Sequence, residues 1–328
     1  MFLVCKTGAG AVKASFVADV GGTNIRLAKV IEGQLSDIEK YLCNDFDTIS
    51  DAIEHYCARH PEAEFVAGCI AIACPVDKDV IKMTNHHWQF SKSQLQQDLG
   101  LSWLDVINDY MAISMSLPQL SADQKLQIGG GTAVDNQPIA VFGPGTGLGV
   151  GHLVMTSEGW MSLDGEGGHV DFAPVDDMDL VVWQFLRNKY GHASAEEVLS
   201  GRGLVQIYQA IAEHQGRFAD LTEPADITER ALSNRCDLCV LTLQQFCRVM
   251  GSFAGNLALN LGTFGGVYIA GGIASRFIDF LMQSDFRSRF EAKGRFAPYV
   301  AAIPTYLITE PEHGLIGTAA YLTQHYKG

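Results

Sequence analysis

The chain is short of positive charge. Only 23 of its 328 residues are Lys or Arg, against 37 Asp and Glu, which leaves a formal net charge of −14 at pH 7. A surface of that sign repels phosphate backbones and anionic lipid heads, so neither nucleic acid nor a membrane is an expected partner. Long apolar runs are missing as well: nothing approaches the roughly 20 residues of a membrane-spanning helix. Residues 1–14 lack the apolar core and the A-x-A site of a secretory signal, and together these absences predict a cytoplasmic protein. No G-x-x-x-x-G-K-[ST] and no G-x-G-x-x-G occurs, so the Walker and Rossmann phosphate sites are excluded. Low-complexity segments and free linkers are absent too.

Cysteine is present but scattered, at Cys5, Cys43, Cys57, Cys69, Cys74, Cys236, Cys239 and Cys247. In a reducing compartment these read as free thiols that behave as small buried hydrophobes. Cys236 and Cys239 alone have metal-ligand spacing. Beyond them only Cys247 and a distant His offer themselves, in a segment that reads as helix, so zinc is not expected.

What is present describes a soluble globular protein: 47% of residues are hydrophobic and 18% charged, and the length allows two domains. The 34 glycines are not spread evenly. An apolar run at 16–20 leads into Gly21-Gly22-Thr23-Asn24, and alternation resumes through Ile25, Leu27 and Ala28, as in a β-hairpin with a glycine-rich turn. Gly21 and Gly22 lack a Cβ and can adopt positive φ, which lets backbone N–H groups approach an anion such as phosphate. Asp19 at the strand end could hold Mg²⁺ through water, and the Thr23 hydroxyl could donate to a phosphate oxygen. The same residues also fit an ordinary tight turn with a solvated Asp. A second unit of this kind, Gly143-Pro-Gly-Thr-Gly-Leu-Gly149, favours the first reading: the pair looks like one phosphate clasp in two halves, and suggests a duplicated domain with a cleft between the copies.

Along the chain, helical spacing at 47–60 is followed by a nearly all-apolar run at 65–74, as in a strand covered on both faces. A turn at 77–79 into Val80-Ile-Lys-Met83, a helix from Ser91, a strand at 104–107 and a helix at 111–120 come next. This alternation argues for an α/β fold. Asn108 and Asp109 stand just beyond a strand, where α/β folds place ligands, although an Asn-Asp pair is also a common helix cap. The loop 164–171, Asp-Gly-Glu-Gly-Gly-His-Val-Asp, is richer in chemistry than a connector needs. Helices are expected at 180–190, 194–201, 203–213 and from about 227 to 260, with a break near Asn234 or Gly251. A buried strand over 262–273 and a closing helix at 313–325 complete the chain.

Three motifs carry a resemblance. Asp19-Val-Gly-Gly-Thr-Asn, Gly143-Pro-Gly-Thr-Gly-Leu-Gly and Gly266-Val-Tyr-Ile-Ala-Gly-Gly-Ile273 resemble the phosphate 1, phosphate 2 and adenosine motifs of the actin, hexokinase and heat-shock ATPase superfamily. More narrowly the chain is similar to the bacterial glucokinases of the proteobacterial type. The similarity is carried by Gly68-Cys-Ile-Ala-Ile-Ala-Cys-Pro75, Met83-Thr-Asn-His86, Ile107-Asn-Asp109, Gly165-Glu-Gly-Gly-His-Val-Asp-Phe-Ala-Pro174 and Asn256-Leu-Ala-Leu-Asn-Leu-Gly-Thr-Phe-Gly-Gly266, and it runs from about residue 15 nearly to the end. Residues 1–14 extend beyond that family's usual start. His169 is followed by Val-Asp-Phe-Ala-Pro174, not by the cysteine-rich zinc motif of the repressor/kinase branch, so zinc is again not implied.

The resemblance implies a two-domain actin-like (ribonuclease H-like) ATPase fold with a duplicated mixed-sheet core, residues 1–109 plus 309–328 forming a small domain and 110–308 a large one. It implies ATP-dependent phosphorylation of glucose to glucose 6-phosphate, with two domains closing on the sugar. Asp109 would be the general base, and Asn108, Asp109, Glu166, His169 and Glu196 the glucose ligands. Gly21, Gly22, Thr23, Asn24, Gly145, Thr146 and Gly147 would clasp the phosphates, Asp19 would hold Mg²⁺ through water, and Gly271 and Gly272 would pass under the adenine. Arg26 is expected in a structural ion pair, and His86 and His87 as loop hydrogen-bonders. A homodimer follows from the family. The rivals are a kinase for another hexose (mannose, fructose or an N-acetylated amino sugar), a sugar-independent actin-like ATPase, and a sugar-responsive transcription regulator, whose N-terminal helix-turn-helix 14 residues cannot hold.

Overall fold

The structure, a computed structural model, describes residues 11–328. Cys5 and most of the N-terminal extension therefore lie outside the described residues. The chain divides into two compact units, one running to Leu120 and resuming over Glu310–Gly328, the other spanning Ser121–Thr309.

The first unit opens with the expected hairpin, β1 (Val12–Val20) and β2 (Asn24–Ile31), in which Asp19 faces Arg26 and Val20 faces Ile25. β3 (Gln34–Leu42) joins β2 antiparallel. None of its residues is buried, so it lacks the apolar signal that marks the other strands. α1 (Ile49–Arg59) starts at Thr48, whose hydroxyl accepts the Asp51 N–H while the Asp51 carboxylate accepts the Thr48 N–H. β4 (Ala63–Ile72) runs parallel to β1. β5 (Val80–Lys82) and β6 (Gln89–Ser91) make a small ribbon, and the Ser91 hydroxyl caps α2 (Lys92–Asp98). β7 (Trp103–Asn108) lies parallel to β4 and passes straight into α3 (Asp109–Ser116).

The second unit begins with β8 (Lys125–Gln127), then β9 (Ile139–Pro144), β10 (Leu148–Thr156) and β11 (Gly159–Leu163). Four helices follow: α4 (Asp177–Tyr190), α5 (Gly201–His214), α6 (Pro224–Leu232) and α7 (Asp237–Leu261). β12 (Gly266–Ile269), the short helices α8 (Ile278–Gln283), α9 (Phe286–Glu291) and α10 (Ala297–Ala301), and β13 (Thr305–Ile308) complete it. α11 (His313–His325) returns to the first unit.

The two sheets share one plan. The first has the order β3-β2-β1-β4-β7 and the second β11-β10-β9-β12-β13-β8. In each, a three-strand antiparallel meander is extended by two strands parallel to its first strand. This is the duplicated mixed-sheet core expected from the repeated glycine turn, with β8 as an extra antiparallel edge.

Three expectations need correction, and a fourth, the break in the long helix, is met at the first of its two places. The first unit does not stop at Asp109, because α3 packs on α11: Gly317 crosses so closely that a Cβ there would fall 1.6 Å from the Ala112 carbonyl oxygen. Residues 194–201 are not a helix. Two of their N–H groups are drawn to the preceding loop, Ala195 to the Val170 carbonyl (2.8 Å) and Glu196 to the Gly168 carbonyl (2.9 Å), and those of residues 197–199 only close turns on Ser194 and Ala195. The long helix breaks once, where Asn234 takes φ 53° between α6 and α7. Gly251 instead stays inside α7, where the Phe286 carbonyl leaves no room for a side chain. The strand expected over 262–273 is only β12, because α7 extends to Leu261 and Gly262 (φ 60°) closes it in the left-handed conformation.

α11 buries Leu315, Ala319 and Leu322 against Val17, Ala28, Cys69, Ile107 and Ala112. Gly317→Ala gains about 1 kcal/mol of helix propensity, but the added methyl must force α3 and α11 apart, and overpacking costs up to about 3 kcal/mol. The urea midpoint should therefore fall by the equivalent of about 2 kcal/mol, and a variant as stable as the parent would contradict so close a crossing.

Candidate active site

In the first unit the expected residues collect at the carboxyl ends of the parallel strands. Val20, Ile72 and Asn108 sit in line across β1, β4 and β7, so Asp19 and Asp109 share one sheet edge. The turn between β1 and β2 is closed by the Gly21 N–H on the Asn24 carbonyl (2.9 Å), and the Thr23 carbonyl accepts the Cys43 N–H (2.9 Å). Neither Gly21 nor Gly22 has positive φ, against expectation. Gly22 is needed for space, since a Cβ would lie 2.9 Å from that of Asn85.

Asp19 is paired with Arg26 (Nη1 to Oδ2, 3.0 Å), whose Nε lies 3.5 Å from Glu312 Oε2. The structural pair expected for Arg26 is thus made with the candidate Mg²⁺ ligand itself. On the other side Gly314, in the first turn of α11, approaches so near that a Cβ would be 3.0 Å from the Asp19 carboxylate. The role of Glu312 and Gly314 has no local signal in the sequence. Arg26 did have one, because a hairpin centred on Gly22 and Thr23 places it opposite Asp19.

Asn108 is the N-cap of α3, its Oδ1 accepting the Tyr110 N–H (2.9 Å), and its Nδ2 is 3.5 Å from the Cys74 carbonyl. Asp109 is the first residue of that helix, half-buried, with Oδ1 3.0 Å from the same N–H. Capping and a chemical role are therefore compatible: Asn108 caps, and Asp109 is held beside it. Burial pushes the Asp109 carboxyl up to about 6, with the negative Asp19 adding to the rise and the hydrogen bonds from Tyr110 and Asn108 opposing it. His86 and His87 bond to Asn44 Oδ1 (3.1 Å) and the Asp47 carbonyl (3.3 Å), as loop residues.

In the second unit the glycine turn joining β9 and β10 is closed by the Gly145 N–H on the Gly147 carbonyl (2.8 Å). The Gly145 carbonyl in turn accepts the N–H of Gly201 at the start of α5 (2.8 Å). The loop carrying Glu166 and His169, both exposed, is pressed onto β10: a Cβ on Gly168 would be 2.0 Å from the Leu148 carbonyl oxygen. Glu196 reaches the turn, where its Oε2 accepts the Leu148 N–H (3.0 Å) and fills the space a side chain on Gly147 would need, 2.5 Å from an added Cβ. Gly271, at φ 85°, runs 2.6 Å (added Cβ) from the Pro144 carbonyl, and Gly272 has open space around it. Gly145, Thr146, Gly147, Glu166, His169, Glu196, Gly271 and Gly272 thus gather around the end of β9, the counterpart of the end of β1.

The family model for glucokinase matches residues 16–325. The chain belongs to the glucokinase family. A glucokinase of Photorhabdus laumondii is 52% identical over 310 residues, covering 94% of this chain and 96% of the relative. One from Shigella boydii is 49% identical over 315 residues, covering 95% and 98%. Among solved structures, a glucokinase from an Antarctic psychrotroph superposes with a TM-score of 0.90 at 37% identity, over 94% of this chain and 98% of that one. A ROK family glucokinase from Streptomyces griseus, in complex with glucose and AMPPNP, shares the fold at 20% identity and a TM-score of 0.60, over 95% and 99%. The actin-like ATPase fold is therefore established for this glucokinase-family chain, and no helix among its described residues is long and apolar enough to cross a membrane.

The raised pKa has a consequence for stability. In the unfolded chain an Asp ionises near 4, while the folded protein holds the Asp109 proton up to about 6. The folded state binds more protons in that window, so stability falls as pH rises through it and the full cost is present at pH 7. Asp109→Asn, which keeps the acceptor for Tyr110, should stabilise the protein by about 1–2 kcal/mol at pH 7 after solvent screening, and by nothing below about pH 4. Urea unfolding at the two pH values measures this, and a destabilised variant at pH 7 would refute the burial of the charge.

Proposed function

We propose that the chain transfers the γ-phosphoryl group of ATP to glucose, giving glucose 6-phosphate by direct in-line displacement with Asp109 as general base. Membership of the glucokinase family carries the activity, and a half-buried carboxylate of pKa about 6 at the end of β7 is the observation that supports the base. A base titrating near neutrality can take the proton of the attacking hydroxyl as the bond to phosphorus forms, and such a contribution is typically worth about 10²–10⁴ in rate. The Asp19 charge favours proton uptake by Asp109.

Glucose presents a ring of hydroxyls that each donate and accept. Glu166, His169 and Glu196, with Asn108 and Asp109, are the side chains we assign to them. The exposure of Glu166 and His169 on a loop pinned by Gly168 supports this. For Glu196 one oxygen holds the Leu148 N–H, so Oε1 is the atom we assign to the sugar. The phosphates fall to Gly21, Gly22, Thr23 and Asn24 and to Gly145, Thr146 and Gly147, on the two glycine turns, and the adenine to Gly271 and Gly272.

The donor chemistry at Asp19 fits Mg²⁺. Arg26 engages Oδ2, and Gly314 keeps side-chain bulk away from the carboxylate, so Oδ1 remains for a hydrated ion of this kind. Bound there through water, Mg²⁺ would neutralise charge on the phosphates. Membership of the glucokinase family supports a cytoplasmic location and a homodimer.

The test is ADP release by the purified protein with ATP and Mg²⁺ over glucose, mannose, fructose, N-acetylated amino sugars and no sugar, beside Asp109→Asn. We expect glucose to drive turnover far above the rest, and the folded variant to lose about 10²–10⁴ in kcat with little change in KM for ATP. Turnover indifferent to sugar would remove the hexose assignment, and a variant of near-normal kcat would remove Asp109 as base.

A further inference from the structure

Cys236 and Cys239 stand apart from the other thiols. Cys43, Cys57, Cys69, Cys74 and Cys247 are buried singly, whereas Cys236 is partly exposed and its neighbour Cys239 is buried one helical turn away. Cys236 is the N-cap of α7, a helix of 25 residues, and its Sγ accepts the Cys239 N–H at 3.4 Å. The extended backbone of the cap (φ −148°, ψ 111°) leaves the Cys236 side chain folded over the first turn, its sulfur against the backbone of Cys239. Zinc does not account for the pair, since it needs about four ligands and Cys247 lies further along the helix, buried in the core.

The nearby charges are compensated. Arg217 forms a two-pronged pair with Asp237 (2.8 Å and 2.8 Å), and Tyr208 donates to Asp220 (2.7 Å), which Arg230 approaches at 3.9 Å. No uncompensated carboxylate of these repels an anionic reagent from the exposed sulfur.

We propose that Cys236 and Cys239 form a redox-active dithiol site that exchanges with low-molecular-weight disulfides. The Cys236 thiolate attacks one sulfur of the incoming disulfide, forming a mixed disulfide and releasing the other half as a thiolate. Cys239 then loses its proton to solvent or to the departing thiolate and attacks Cys236 Sγ, which expels the second half. Two protein thiols are oxidised to one disulfide, and one external disulfide is reduced to two thiols. The order of attack follows from access, because Cys236 is the sulfur that solvent reaches. Burial and the Cys236 side chain push the Cys239 thiol up to about 12, which slows the second step and lets the mixed disulfide persist.

The experiment uses the full chain carrying Cys5→Ser, treated without denaturant with oxidised glutathione and mapped by mass spectrometry. The expected product has lost two hydrogens, contains a Cys236–Cys239 cross-link, and reverts with dithiothreitol. Cys239→Ser and Cys239→Ala should instead accumulate glutathione on Cys236. Cys236→Ser, which retains a good helix cap, should show neither adduct nor cross-link while phosphorylating glucose at the parent rate. Absence of the cross-link, its formation only in denaturant, or prior modification of any of the five buried cysteines would overturn the proposal.

Discussion

Two carboxylates at one sheet edge set the main constraint on the first unit. Parallel pairing of β1, β4 and β7 brings Asp19 and Asp109 to the same end of the sheet, where the Asp19 charge adds to the rise of the Asp109 pKa. The conflict is resolved unequally. Arg26 reaches across the hairpin to Asp19, so that carboxylate is compensated, while Asp109 carries the cost of burial and rises to about 6. The two acids therefore sit in different surroundings, one ion-paired and the other half-buried with its carboxyl raised. The same edge explains the tightness of α11, whose Gly314 meets Asp19 and whose Gly317 meets α3.

In the second unit the constraint is space. Around the end of β9 side chains are excluded wherever two segments cross. Gly168 lies on the Leu148 carbonyl, Gly147 makes way for Glu196, and Gly271 passes the Pro144 carbonyl. A methyl group would meet backbone at Gly168 and Gly271 and the Glu196 carboxylate at Gly147. The glycine density of this chain is therefore a packing requirement at the strand ends more than a store of flexibility.

Much of this was legible in the residues. The hairpin around Gly21 and Gly22, the covered strand before Pro75, and the closing helix from His313 follow from periodicity and from Gly and Pro. The duplication was visible because both glycine turns sit between apolar runs. What was hidden lacks a local signature. β3 is an exposed edge without apolar alternation, and residues 194–201 look helical but give the N–H groups of Ala195 and Glu196 to the loop from Gly168 to Val170. Glu312 and Gly314 reach Asp19 only through the fold. Asn108 and Asp109 read equally as a cap and as a site, and the structure explains why: the cap is one residue and the raised carboxyl the next.

The central claim is that Asp109 is a base whose pKa is set by burial near Asp19. It is tested most directly by the pH dependence of kcat/KM for glucose at saturating ATP and Mg²⁺. The account predicts an acid limb with an apparent pKa of about 6, absent from the residual activity of Asp109→Asn. A profile flat down to about pH 5, or a limb that survives in the variant, would contradict it.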